Sequence, residues 1–229
     1  MSGPTAAGAA DGSLTSGASS VIADERRERP VVASETVLDG AIFDVERRRV
    51  DLDEAGVVTR EFVTHPGAVA VVALDDEGRV AMIRQYRVPV AAHLWEIPAG
   101  LLDAGPEESL LLAAQRELAE EIDLRAARWD VLVDQASSAG MTTEVVRVFL
   151  ARDLSAAPAG DFVREGEEAE IELRWVPLAD AVDAVLAGAV HSVSAVVGLL
   201  AAERAQRSGF AALRPVTAAS LLRPDVIPA

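Results

Sequence analysis

The sequence predicts an α+β protein, a mixed sheet layered between helices, preceded by a small N-terminal antiparallel β domain. Three observations predict it. Apolar, β-branched runs lie on both sides of one amphipathic helix pattern at 106–122, two more helix patterns follow at 178–187 and 192–206, and short β-favouring pieces cluster before residue 63.

Composition sets the limits first. Half of the 229 residues are apolar, so a sizeable core is expected even with 37 acidic against 21 basic residues. A net charge of -16 repels phosphate backbones and anionic lipid, so neither nucleic acid nor a membrane is an expected partner. Without Cys there are no disulfides or thiolate sites, and His65, His93 and His191 lie far apart, so any metal is expected to take oxygen ligands. The longest apolar stretches, 67–74 and 193–202, are too short to span a bilayer. No charged start followed by an apolar block marks a secretory signal, and a cytoplasmic location is the expectation.

Residues 1–30, rich in Gly, Ala, Ser and Thr, read as a flexible tail. Residues 31–62 hold β pieces at 35–37, 41–45 and 57–63, a sheet too small to be stable alone. The main domain is expected over 63–207, with a C-terminal tail at 208–229. Within it, the runs 67–74 and 79–85 flank Asp75-Asp76-Glu77-Gly78 and predict a hairpin of two paired strands. Gly105 is the expected N-cap of the helix and Pro106 its first residue, with Leu110, Leu111, Ala114 and Leu118 at helical spacing. Strands follow at 129–133, 144–151 and 172–176, with a small-residue loop at 137–143.

The helix carries the chemistry. Glu117, Glu120 and Glu121 stand at i, i+3 and i+4, so three like charges share one face within about 6 Å of each other. They are either a solvated acidic face or hard oxygen donors for a divalent cation. Arg116 lies two turns after Glu108 and can reach it as an internal brace. Upstream, Trp95-Glu96-Ile97-Pro98-Ala99-Gly100 ends a strand and turns backbone carbonyls toward the helix start.

At these residues the sequence resembles the Nudix hydrolases, whose signature runs G-x5-E-x7-R-E-U-x-E-E-x-G-U with U aliphatic. Glu108, seven residues, then Arg116-Glu117-Leu118-Ala119-Glu120-Glu121-Ile122-Asp123-Leu124 match it with Asp123 in place of Gly, a residue that tolerates the left-handed turn. Gly100 precedes Glu108 by seven residues rather than five, so a two-residue bulge is expected between them. The flanks, His65-Pro66-Gly67 into an apolar run, Arg84-Gln85-Tyr86-Arg87 and 95–100, resemble the ADP-ribose pyrophosphatase branch.

The resemblance implies magnesium, or manganese, held by Glu117, Glu121, Glu120 and the backbone carbonyl of Ala99, with Glu108 and Arg116 structural. It implies a catalytic Glu beyond the motif. In the run Glu165-Gly166-Glu167-Glu168-Ala169-Glu170 the choice is Glu167, with Glu168 beside it, and Glu120 is the base if the run supplies none. Arg84, Arg60 and Glu96 are candidate substrate contacts, Arg87 ranks below Arg84, and Met141 is placed near the distal ribose. The reaction implied is hydrolysis of ADP-ribose to AMP and ribose 5-phosphate by a homodimer that exchanges its N-terminal sheets. Another nucleoside diphosphate sugar, a dinucleotide, or a non-catalytic nucleotide-sugar sensor on the same fold are the alternatives.

Overall fold

The N-terminal strands β1 (Val31–Leu38), β2 (Asp44–Asp51) and β3 (Val57–Thr64) form an antiparallel meander in a computed structural model that describes residues 22–105, 107–158, 170–224 and 226–229. The expected piece at 41–45 moves to 44–51, through the charged run Glu46-Arg47-Arg48-Arg49. Charged residues are poor strand formers, but here register supplies the reason: Glu35, Arg47 and Glu61 stand opposite one another on three strands. Arg47 bonds Glu61 at 2.7 Å and Glu35 at 3.3 Å. The sheet keeps Val31, Leu38 and Val57 about half exposed, so little apolar surface is buried within it.

The main domain adds β4 (Ala68–Ala73), β5 (Arg79–Arg87), β6 (Ala92–Glu96), β7 (Ala99–Leu101), α1 (Leu110–Ile122), β8 (Leu124–Ala136), β9 (Val145–Ala156), β10 (Glu172–Pro177), α2 (Leu178–Leu186) and α3 (Val193–Arg207). Strand order is β7-β4-β9-β8 in one sheet and β10-β5-β6 in the other, and β4 runs parallel to β9. The sheet is therefore mixed, as expected. Alternate residues of β4 feed two cores: Ala68, Ala70 and Val72 pack with α2 and α3, while Val69, Val71 and Ala73 pack with α1. Burial on both faces explains why β4 is continuously apolar.

The hairpin reading needs correction. Asp75 to Arg79 do form a tight turn, closed by Asp75 N–H on the Arg79 carbonyl at 2.9 Å, but only Leu74 and Val80 pair before the strands part into different sheets. Long-range pairing decides it: β4 is taken by β7 and β9, and β5 by β6 and β10.

Helix α1 also starts later than expected. Its N-cap is Ser109, whose hydroxyl accepts the Leu112 N–H at 3.1 Å, whereas Gly105 sits at φ 109 in the preceding loop. A Ser cap is favoured over a Gly cap by only roughly a few tenths of a kcal/mol, because only Ser supplies a side-chain acceptor. At the other end Asp123 adopts φ 57, ψ 34, the left-handed turn expected where Gly is usual.

Candidate active site

Strand β7 is a short edge strand whose backbone lies along α1. The Pro98 carbonyl accepts the Val71 N–H at 2.8 Å, which fixes Ala99 and Gly100 beside Ala70 and Val69 in the first half of β4. Against this backbone lie two carboxylates of α1, those of Glu117 and Glu121, only 7% and 5% exposed. A solvated acidic face is thereby ruled out for them. Glu121 accepts the Ala99 N–H at 2.9 Å. Glu117 fills the space in front of Gly100, where any Cβ would overlap its carboxylate.

Arg116 organises the rest. Its Nε donates to Glu108 at 2.9 Å, its Nη2 to the Leu101 carbonyl at 3.2 Å, and its Nη1 to Glu117 at 2.5 Å and Glu120 at 3.2 Å. The hydrogen bond to Glu108, with the charges of Glu117 and Glu108 and against the opposing effect of burial, holds the guanidinium well above its ordinary pKa. Because Arg116 reaches both Leu101 and Glu108, the two extra residues between Gly100 and Glu108 are accommodated in the connecting loop without separating the brace.

Among the described residues no three Asp, Glu or His side chains converge as a ready cation cage. The partners named above account for this, since Glu117 and Glu120 turn to Arg116 and Glu121 turns to the Ala99 N–H. The donor set, buried carboxylate oxygens beside a backbone turn, nonetheless fits a hard divalent cation.

The other expected site residues divide between surfaces. Strand register puts Ile83 opposite Glu96 and Arg84 opposite Trp95, so Arg84 and Glu96 occupy opposite faces of their sheet. Ile83 belongs to the core that holds α1, and Trp95 packs against the core of α2 and α3. Arg84 thus turns away from α1 and meets Glu172 at 3.5 Å. The arginine on the face of Glu96 is Arg87, which bonds it through Nε at 3.0 Å and Nη2 at 2.7 Å, with Gln85 adding a third contact at 3.4 Å. Counting alternate residues from Ile83 through Gln85 to Arg87 was the available signal.

Arg60 lies on β3, its guanidinium on the Thr59 carbonyl. Met141 is 59% exposed, and its carbonyl accepts the Val63 N–H at 2.9 Å, tying the 137–143 loop to the end of the N-terminal sheet. Glu167 and Glu168 lie outside the described residues.

Comparison with known proteins identifies the family. The NUDIX domain family matches residues 64–195. An ADP-ribose pyrophosphatase of Mycobacterium tuberculosis (strain ATCC 25618 / H37Rv) is 43% identical over 198 residues, covering 86% of this chain and 94% of that protein. An ADP-ribose pyrophosphatase of Bacillus subtilis (strain 168) is 38% identical over 159 residues, covering 69% and 83%. The crystal structure of an ADP compounds hydrolase shares the fold, with a TM-score of 0.66 at 21% identity over 82% of this chain and 98% of that one. The chain belongs to the NUDIX domain family and is a Nudix hydrolase.

Proposed function

We propose that the protein hydrolyses the diphosphate bond of ADP-ribose to AMP and ribose 5-phosphate with bound magnesium, manganese being the alternative cation. The observation that carries this reading is the burial of Glu117 and Glu121 against Ala99 and Gly100, an arrangement with no use for a solvated helix face. The activity named for the two relatives supports the choice of substrate.

Glu117, Glu121 and Glu120, with the carbonyl of Ala99, would hold the cation, Glu117 and Glu120 leaving Arg116 to do so. When bound, it supplies charge neutralisation on the diphosphate and a more acidic water. The chain's own residues do the remainder. Arg116, locked on Glu108, fixes the angle of the helix face. Glu167 or Glu168 takes the proton of the attacking water, and Glu120 takes that role if neither does. Glu96, with Arg87 on the same face, binds a ribose hydroxyl and a phosphate oxygen. Arg60 is a phosphate or ribose contact and Met141 touches the distal ribose; Arg84, on the other face, is the weaker candidate.

The exposed apolar side chains of the N-terminal sheet support a homodimer in which a second copy covers them. Sedimentation at micromolar concentration checks this, a monomer mass contradicting it. The acidic charge supports a protein free of nucleic acid, and a cytoplasmic location is proposed with it.

The substrate test is a panel of ADP-ribose, ADP-glucose, NADH and diadenosine polyphosphates with magnesium, followed by product identification. AMP and ribose 5-phosphate from ADP-ribose at the highest kcat/KM is expected. A preference for another member replaces the substrate, and binding without turnover under either cation makes the protein a sensor.

A further inference from the structure

The first turn of a helix leaves backbone N–H groups without intrahelical acceptors. In α1 the Leu112 N–H is taken by Ser109, and the Leu110 N–H is taken at 2.9 Å by the carbonyl of Ile227, from the other end of the chain. Pro228 follows Ile227 and restricts it to extended backbone, which limits how that carbonyl can turn.

Residues 208–224 and 226–229 reach this point through a series of anchors. Phe210 and Leu213 pack on the core of α2 and α3, and Val216 and Val226 pack on the core that contains Leu110, Ala113, Ala114, Leu118 and Ile122 of α1. Arg214 pairs its backbone with Val131 beside the bulge in β8, and its guanidinium meets Asp134 at 2.9 Å. Arg147, its side chain 1% exposed, spends one nitrogen on the Ala218 carbonyl at 2.7 Å while the others hold Asp134. Arg223 donates to the Pro66 carbonyl, in space that Gly67 at φ +94 leaves open by lacking a Cβ. A solvated tail has no need of a fully buried arginine.

We infer that residues 208–224 and 226–229 are a positioning strap for the acidic helix, on the reading that α1 holds the catalytic cation. The route is short. Ile227 fixes Leu110, two residues after Glu108, and Glu108 holds Arg116, so the strap sets the angle at which α1 presents Glu117, Glu120 and Glu121. Freeing the first turn loosens the Glu108 brace and lets the acidic face shift against Ala99 and Gly100, without touching a substrate contact.

The test compares the full chain with a chain ending at Pro224, which loses Val226 and the Ile227 carbonyl. Amide hydrogen exchange is measured without metal, and kcat, KM and the magnesium concentration for half-maximal rate are measured with it. Exchange at Leu110 at least about 10-fold faster, with exchange in β4 and β9 unchanged, is expected. The half-saturating magnesium concentration should rise by about 10-fold while KM stays within about twofold. A lowered Tm with exchange and magnesium response both unchanged overturns the inference. If the shortened chain does not fold, Arg223→Gln in the full chain carries the same comparison and the same two outcomes. If the wild type itself shows no magnesium-dependent turnover, the functional reading has failed, and exchange at Leu110 alone supports or overturns the anchoring.

Discussion

The carboxylate of Glu117 stands where a side chain at Gly100 would stand, so the glycine of the loop and the glutamate of the helix are two halves of one fit. With Glu121 bonded to the neighbouring Ala99 N–H, this contact sets the distance between β7 and the acidic face of α1.

Gly100→Ala should therefore act on the site through Glu117. The new Cβ must push the carboxylate out or shift β7, which costs about 1–3 kcal/mol by overpacking. A fall in kcat together with a higher half-saturating magnesium concentration is expected, read by a metal titration of the rate. Wild-type kcat at wild-type magnesium response would show that Glu117 does not need its place.

Arg87 and Arg84 separate the two faces of one sheet. Removing one partner of the Arg87 and Glu96 pair leaves a buried carboxylate without its charged donor, so Arg87→Ala should raise KM for ADP-ribose by about 10-fold or more. Arg84→Ala should change it by less than about threefold, since its partner Glu172 is exposed and of small energetic weight. The reverse order in steady-state kinetics would put the substrate on the face of Trp95.

Loss of the general base lowers the rate of the chemical step and leaves ground-state binding intact. Glu167→Gln should lower kcat with KM nearly unchanged, and Glu168→Gln and Glu170→Gln should be milder under the same magnesium. If Glu168→Gln is the crippled variant, the base is one residue on. If all three keep wild-type kcat, Glu120 becomes the base.

Asp134 gives stability a pH dependence. Burial alone would raise its pKa, but hydrogen bonds from Arg147 and Arg214 outweigh burial and hold it below the usual carboxylate range. A group depressed on folding contributes fully above its unfolded pKa, about 3.9, and the contribution is lost as pH falls through the lower folded value. Urea unfolding should show a steep loss of stability below about pH 4, and Arg214→Gln should make that loss shallower. Equal slopes for the two proteins would remove Asp134 from the acid transition.

Much of this was legible in the sequence, for physical reasons. The spacing of Glu117, Glu120 and Glu121, the reach of Arg116 to Glu108 and the turn at Asp123 are local, fixed by 3.6 residues per turn and by left-handed tolerance. What needed the structure was long-range. No local signal parts β4 from β5 after one bridge, because their turn is a proper hairpin turn and only competition from β9 and β10 separates them. Ser109 was hidden behind Gly105 and Pro106, which also look like a helix start. Part of the anchoring of 208–224 and 226–229 was hidden because it uses backbone carbonyls, at Ala218 and Ile227, which no residue type announces.

The central claim, that the acidic face of α1 holds the catalytic cation, is tested most directly by titrating magnesium against the ADP-ribose hydrolysis rate in the wild type, Glu117→Gln and Glu121→Gln. Gln at 121 keeps an oxygen for the Ala99 N–H, so the fold should stand while the ligand charge is lost. The account predicts kcat down by at least about 10²-fold in both variants, with little change in Tm. Near-normal turnover of both at saturating magnesium would contradict it.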